Sequence, residues 1–310
     1  MAFLVAALYQ FTPIEAPEAL REPLLQLCQA QGVKGTLLLA REGLTGTIAG
    51  PAAGTEAVLA HIRTLPGCAE IEVKTSTAQE MPFLRLKVRL KAEIVPLGQP
   101  GVDPRAAVGT YVAPEEWNDL IARDDVVVID TRNDYEVALG TFEGAHDPKT
   151  ASFREFPDWW RANASAFEGK TVAMFCTGGI RCEKATNWLM DQGVEDVRHL
   201  KGGILRYLEH VPEDQSRWTG SCFVFDNRVS VEHGLTEGAH TLCHACRRPL
   251  APDDLLRPEY EHGVTCHHCY GERDATARTR YRERQRQVDL ARSRGTAHLG
   301  DAADGKRNAT

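Results

Sequence analysis

The sequence predicts a multidomain chain of mixed α/β and α+β class. A ferredoxin-like domain comes first, a central α/β domain with a parallel sheet second, and a cysteine-rich, zinc-binding-like region third. Three observations lead to this. Residues 1–95 alternate strand and helix signals in the order βαββαβ, which is the order of a ferredoxin-like sandwich. Residues 110–218 contain short continuous apolar runs, Val126 to Asp130 and Val172 to Cys176, of the kind a parallel sheet covers on both faces. Residues 219–294 carry two Cys-x2-Cys pairs and an arginine-rich stretch.

Phe3 to Tyr9 reads as the first strand; without a basic leader or a good cleavage site it is a poor signal peptide. Pro17 to Gln31 reads as a helix, with Pro in its first turn and Leu20, Leu24, Leu27 and Cys28 on one face. Strands are expected at Val33 to Ala40, Thr45 to Ala49 and Glu70 to Thr75, with a helix from Ala53 to Leu65. Leu84 to Lys91 adds one more strand. Residues 96–109 lack periodicity and read as a linker. A helix then runs from Pro114 to Ala122, and the Asn133/Glu136 spacing fits an N-cap and N3 pair opening a short helix. A helix is expected from Glu183 to Gln192, a strand at Val197 to Leu200, and strand-like structure from Cys222 to Val231. Residues 295–310 are Gly, Ala, Asp and polar, the composition of a disordered tail.

The 310 residues are 43% hydrophobic, enough for real cores, and no apolar run approaches the ~18 residues of a membrane helix. A net charge of −7 argues against a uniformly basic nucleic-acid binder. Nine cysteines, an odd number with CxxC pairs, fit a reducing cytoplasm with metal-bound or catalytic thiols rather than a disulfide framework.

The central candidate is Cys176-Thr177-Gly178-Gly179-Ile180-Arg181-Cys182. A cysteine between a strand and a helix N-terminus faces free backbone N–H groups and the positive helix end, both of which favour thiolate. Gly178 and Gly179 permit a tight loop. Cys176 and Arg181 are the catalytic candidates, with Thr177, Gly178, Gly179 and Ile180 as the active-site loop. A cysteine phosphatase needs Cys-x5-Arg around a phosphate; here the spacing is Cys-x4-Arg, a smaller cradle. Cys182 either resolves an oxidised Cys176 or packs as a small apolar side chain. Asp130 and Arg132 read as a structural ion pair, and Cys28, Cys68 and Cys222 as core residues.

Cys243-x2-Cys246-x19-Cys266-x2-Cys269 has the spacing of a four-cysteine zinc site, with His244, His267 and His268 as possible substitutes. Four protein ligands leave no open position, so the role would be structural. Arg85, Lys87, Arg89 and Lys91 alternate with aliphatic residues. They form either a phosphate-tracking face or the charged protection of an edge strand. Arg278, Arg282 and Arg286 lie on an arginine-rich helix that either binds RNA or is a solvated face.

Asp130-Thr131-Arg132, the Cys176 loop and Leu200-Lys201-Gly202-Gly203 together resemble a rhodanese domain. A ferredoxin-like, acylphosphatase-like domain precedes it and a cysteine-rich region follows. With the run from Phe175 to Lys184, and with Gly101 to Arg105, Ser152 to Pro157 and Phe223 to Arg228, the chain closely resembles the TrhO family of rhodanese-related tRNA uridine hydroxylases. The resemblance spans nearly all of the chain except the tail. It implies oxygen-dependent hydroxylation of the wobble uridine (position 34) to 5-hydroxyuridine, with Cys176 essential, molecular oxygen as co-substrate and the tRNA anticodon stem-loop as partner. Neither DNA nor a membrane is implied. Gly144-Ala145-His146-Asp147-Pro148 departs from the family, which usually has an aliphatic residue and Asn at its third and fourth positions. No flavin, haem or nicotinamide motif is evident, so the electron source is not visible. The competing reading is a rhodanese-type sulfurtransferase carrying a persulfide on Cys176.

Overall fold

The structure is a computed structural model that describes residues 2–295. Residues 296–310 of the expected tail lie outside the described residues.

The amino-terminal unit contains β1 (Phe3–Phe11), α1 (Pro17–Ala30), β2 (Lys34–Ala40), β3 (Gly43–Gly50), α2 (Ala52–Arg63) and β4 (Glu72–Ala78). Its sheet order is β4-β1-β3-β2, antiparallel throughout, extended at the β2 edge by the parallel strand β5 (Leu86–Leu90). Leu24, Cys28, Val58, Leu59 and Ile62 from the two helices bury one sheet face together with Ala6, Leu8, Leu37 and Ile48. The opposite face carries Ala7, Tyr9, Leu38, Thr45 and Thr47, and it looks towards the rest of the chain.

The central unit follows with β6 (Thr110–Val112), α3 (Pro114–Ile121), β7 (Val126–Asp130), α4 (Asp134–Val137), β8 (Gly140–Phe142), α5 (Phe156–Asn163), β9 (Thr171–Phe175), α6 (Ile180–Asp191), β10 (Val197–Leu200) and α7 (Gly203–His210). The parallel sheet runs β6-β10-β9-β7. One face is covered by α3 and α7 through Trp117, Leu120, Ile204, Tyr207 and Leu208. The other is covered by α5 and α6 through Phe156, Trp160, Trp188 and Leu189. Both faces being covered, β7 and β9 are near-continuous apolar runs rather than alternating, whereas β6 and β10 carry Thr110, Arg198 and His199.

Two helices, α5 and α7, were not expected from the sequence. Phe156 and Trp160 of α5, and Ile204, Tyr207 and Leu208 of α7, do have helical spacing. They sit among aromatic and glycine signals that mask it. The helix expected from Glu183 begins at Ile180, because Gly179, at φ +102°, ends the loop in a conformation that disfavours side chains. The expected strand from Cys222 to Val231 is instead two short strands, β12 (Cys222–Phe223) and β13 (Ser230–Val231), joined by a turn. Before them, β11 (Trp218–Gly220) pairs with β8. His146, in the departing loop, is tied down by backbone bonds to Val128 and Asp130.

Residues 96–109 contain neither helix nor strand, yet they are strapped to α6. Asn187 accepts from the Asp103 amide and donates to the Ala107 carbonyl, and Thr186 Oγ1 accepts from the Gly109 amide. The first two units are also bolted together by Lys184 of α6, whose buried ammonium bridges Glu42 and Glu93 at 2.7 Å each. The last region holds β14 (Thr241–Leu242), β15 (Pro249–Leu250) and α8 (Ala275–Ser293). None of the described helices is long and apolar enough to cross a membrane.

Candidate active site and metal centre

Strand β9 ends at Phe175 and delivers Cys176 to the carboxyl edge of the parallel sheet, where α/β folds place their sites. The Gly179 amide donates to Cys176 Sγ at 3.1 Å. Gly203 seats the loop from below: a Cβ there would stand 2.4 Å from the Cys176 carbonyl oxygen. Burial opposes ionisation of Cys176. Hydrogen bonding from Cys182, the Arg181 guanidinium and the Cys182 and Arg181 amides outweigh it and bring the thiol down to about 5. The neighbouring Cys182 thiol moves the other way, raised by burial and by the charge on Cys176. Cys182 is fully buried and lies 3.6 Å from Thr131 Oγ1.

Arg181 acts on the loop through Glu136. Its guanidinium forks onto the Glu136 carboxylate at 2.7 Å on both arms, and it also reaches Thr177 Oγ1 at 3.3 Å. Glu136 is fully buried on α4 and also accepts from Thr177 Oγ1 at 3.2 Å. The sequence marked Glu136 only as a helix cap. Asp130 and Arg132 form the structural ion pair, bidentate and buried, with Arg132 also donating to the Gly140 carbonyl.

Replacing Arg181 by Met removes the cation beside Cys176 and leaves the Glu136 carboxylate unpaired. Both changes disfavour thiolate. The inflection of iodoacetamide alkylation at Cys176 should therefore move to higher pH by roughly one to three units. An unmoved inflection would mean the backbone amides alone set the thiolate.

The open face of the amino-terminal sheet roofs the Cys176 loop. Between them lies a cavity of about 550 Å³, lined by Cys176 to Gly178, Ile180 and Arg181 on one side, by sheet residues on the other, and by Val224 to Asp226 and Arg228 of the third region. That volume lies in the range of small-molecule sites. Lys74 on β4 donates to Gly178 O at 2.9 Å and to Glu72 at 2.8 Å. Tyr9 on β1 reaches Glu183 at 2.8 Å, and Tyr111 donates to the same oxygen at 2.9 Å. Burial raises the Glu183 carboxyl against the opposing Tyr9 and Tyr111 bonds. Sequence reasoning missed Tyr9, Lys74 and Glu183 as a group. Tyr9 and Glu183 lie 174 positions apart, and no local pattern joins them.

The four cysteines of the last region converge. Cys243, Cys246, Cys266 and Cys269 have all their Sγ atoms within 4.8 Å of one another, with neighbouring pairs at 3.8–4.0 Å. Tetrahedral Zn–S bonds of about 2.3 Å require S–S separations of roughly 3.8 Å. The donor set thus fits a metal ion, without His244, His267 or His268. Helix α8 is strapped to this module. Arg282 forks onto Glu261, Arg284 donates to the carbonyls of His244 and Gly263, and Arg278 caps the Tyr270 carbonyl. Arg286 pairs with Glu283 on its own helix. The charges on Arg282 and Arg286 are therefore partly neutralised.

Arg85, Lys87, Arg89 and Lys91 lie on or beside β5, the edge strand. Lys87, Arg89 and Lys91 are exposed and Arg85 is half-buried. The aliphatic side of this strand is only partly covered: Val88 is buried, while Leu84 and Leu90 are nearly half exposed.

An acylphosphatase-like sheet closed over a cysteine loop of rhodanese type defines a two-domain thiol enzyme class. Residues 3–94 match the UPF0176 acylphosphatase like domain, and residues 113–210 match the Rhodanese-like domain. A protein of Ruegeria pomeroyi named tRNA uridine(34) hydroxylase is 67% identical over 96% of this chain and 99% of its own length. Relatives with the same name in Roseobacter denitrificans (95% of this chain, 100% of the relative) and Gluconobacter oxydans (96% of each) are 62% and 60% identical. The chain belongs to the tRNA uridine(34) hydroxylase family.

Proposed function

We propose that this protein hydroxylates the wobble uridine of tRNA, position 34 in the anticodon loop, to 5-hydroxyuridine, and that Cys176 is its nucleophile. The observation that carries the chemistry is a buried cysteine, its thiol favoured towards ionisation by Arg181 and the loop amides, on the wall of a cavity between the first sheet, the Cys176 loop and the start of the third region. A persulfide carrier needs room for little more than a sulfur atom; the roof supplied by the amino-terminal sheet makes room for a base. This favours hydroxylation over sulfur transfer.

The Cys176 thiolate adds to C6 of uracil, and the electron pair moves towards C5 and O4. Carbon 5 then attacks an oxygen donor derived from molecular oxygen. One oxygen atom enters the base and the other leaves as water, with two electrons from a separate reductant. Loss of the C5 proton and expulsion of the thiolate restore the ring. Lys74 has three ammonium protons, of which Glu72 and Gly178 take two, which leaves a third to meet charge developing on O4. Arg181 acts as a positioning residue. An unstacked anticodon base enters such a pocket at low cost.

Phosphate contacts fall to Arg85, Lys87, Arg89 and Lys91, with Arg278, Arg282 and Arg286 adding long-range attraction. The four cysteines would hold zinc in a structural role, since four thiolates leave no position open. The reducing cytoplasm is the compartment these thiols suit.

The test is nucleoside mass spectrometry of tRNA from cells lacking this protein, with and without the gene restored. Restoration of a uridine bearing one extra oxygen supports the reading. A change confined to thiolated nucleosides would replace it with sulfur transfer.

A further inference from the structure

Next to the reaction cavity lies a second groove of about 740 Å³, running between the edge strand β5 and the cysteine module. The two share Thr36, Phe83, Val224, Phe225 and Asp226 as a common wall, so they adjoin each other. Arg85 and Lys87 line one side of the groove, Arg247 and Arg248 the other. Asp226 is its only acidic lining residue among the described residues, and Arg228 already binds that carboxylate bidentately. Glu272 pairs with one arm of Arg248 nearby. The lining is therefore cationic on balance.

At the junction of groove and cavity stands Phe225, 56% exposed. Its ring is supported edge-on by Phe223 at 5.1 Å, which in turn packs edge-on against Tyr135 at 5.3 Å. An aromatic ring braced edge-on yet left open, beside cations, is the combination that single-stranded nucleic acid requires: a stacking surface for a base and charges along its backbone.

We propose that this groove is the subsite for the RNA strand flanking the target uridine. Phe225 stacks the base next to the one flipped into the cavity, and Lys87 and Arg247 hold the adjoining phosphates from opposite banks. The proposal rests on the tRNA reading above and deepens it. It also gives the cysteine module a role in binding, because the module presents Arg247 and Arg248 to the substrate strand.

The experiment is fluorescence anisotropy with a labelled anticodon stem-loop, titrated at several salt concentrations, alongside turnover on the same RNA. Phe225→Ala should weaken binding on the order of tenfold, and Phe225→Trp should restore it. Lys87→Glu combined with Arg247→Asn should weaken binding by a similar factor and flatten the salt dependence, reducing the slope of log K against log salt by about 1.4, two single-strand phosphates' worth. Arg63→Glu, on the helix-covered side of the first sheet, should change neither. If both groove variants bind with wild-type affinity while the wild type hydroxylates the stem-loop, the groove assignment falls and the function stands. If the wild type neither binds nor modifies the stem-loop, the functional reading fails and takes the groove with it.

Discussion

Cys176→Ser is expected to abolish the proposed formation of 5-hydroxyuridine, with a loss on the order of 10³-fold or more, and to leave affinity for an anticodon stem-loop nearly unchanged. Serine keeps the size of the side chain but at neutral pH remains a hydroxyl, without the charge that the proposed addition to C6 needs. Wild-type Cys176, brought down to about 5 by its hydrogen bonds and the Arg181 guanidinium, is predominantly thiolate at pH 7. Its alkylation rate should sit near its plateau at pH 7 and fall only as pH drops towards 5. An ordinary thiol would still be climbing above pH 8. The sign for stability is the same. A thiol depressed on folding contributes most above its ordinary value of 9.0 and loses that contribution as pH falls through about 5. Measuring alkylation of wild type against Cys176→Ser by mass spectrometry isolates this one sulfur. A wild-type inflection near pH 9, or turnover by Cys176→Ser, would remove Cys176 from the chemistry.

The second large effect concerns the cysteine module. Its own apolar cluster consists of Leu250, Cys243, Cys266 and Cys269, with Ala245, Cys246, Leu255 and Tyr260 at the margin. Its regular structure is a pair of two-residue strands, a 3-10 turn at Pro252–Leu256 and α8, neither helix having a buried residue. So small a core does not fold unaided, whereas a four-thiolate zinc site supplies apparent free energies of about 10–16 kcal/mol. Purified protein should contain close to one zinc per chain by metal analysis. Cys266→Ser, or prolonged chelation, should release it and expose residues 241–294 to protease, while the two preceding units resist. The groove cations Arg247 and Arg248 would lose their positions at the same time, so stem-loop affinity should fall on the order of tenfold. Metal-free protein with an intact, protease-resistant module would contradict this.

What the sequence by itself determined is local. The βαββαβ order followed from periodicity and turn residues, and the structure has it, with the β4-β1-β3-β2 sheet. The Cys176 loop was legible because a nucleophile, two glycines and a helix start fall within seven residues. The two cysteine pairs were legible because metal knuckles are written as short spacings, and the four sulfurs do meet. The long resemblance added the reaction, which no spacing specifies.

Only the tertiary structure decided what surrounds that loop. Glu136 meets Arg181 across 45 positions, Lys74 meets Gly178 across 104, and Tyr9 meets Glu183 across 174. These contacts arise because the helix-free face of the first sheet must be covered, and the second domain's site edge covers it. Such a face shows in sequence as ordinary strand alternation, which says that one side is apolar without saying what will pack there. The same holds for the basic strand. Its charges are plain in the sequence, but their place opposite Arg247 and beside Phe225 depends on where a third region docks. Periodicity and spacing are properties of neighbours along the chain, whereas a cavity between domains is made by residues whose only relation is the fold.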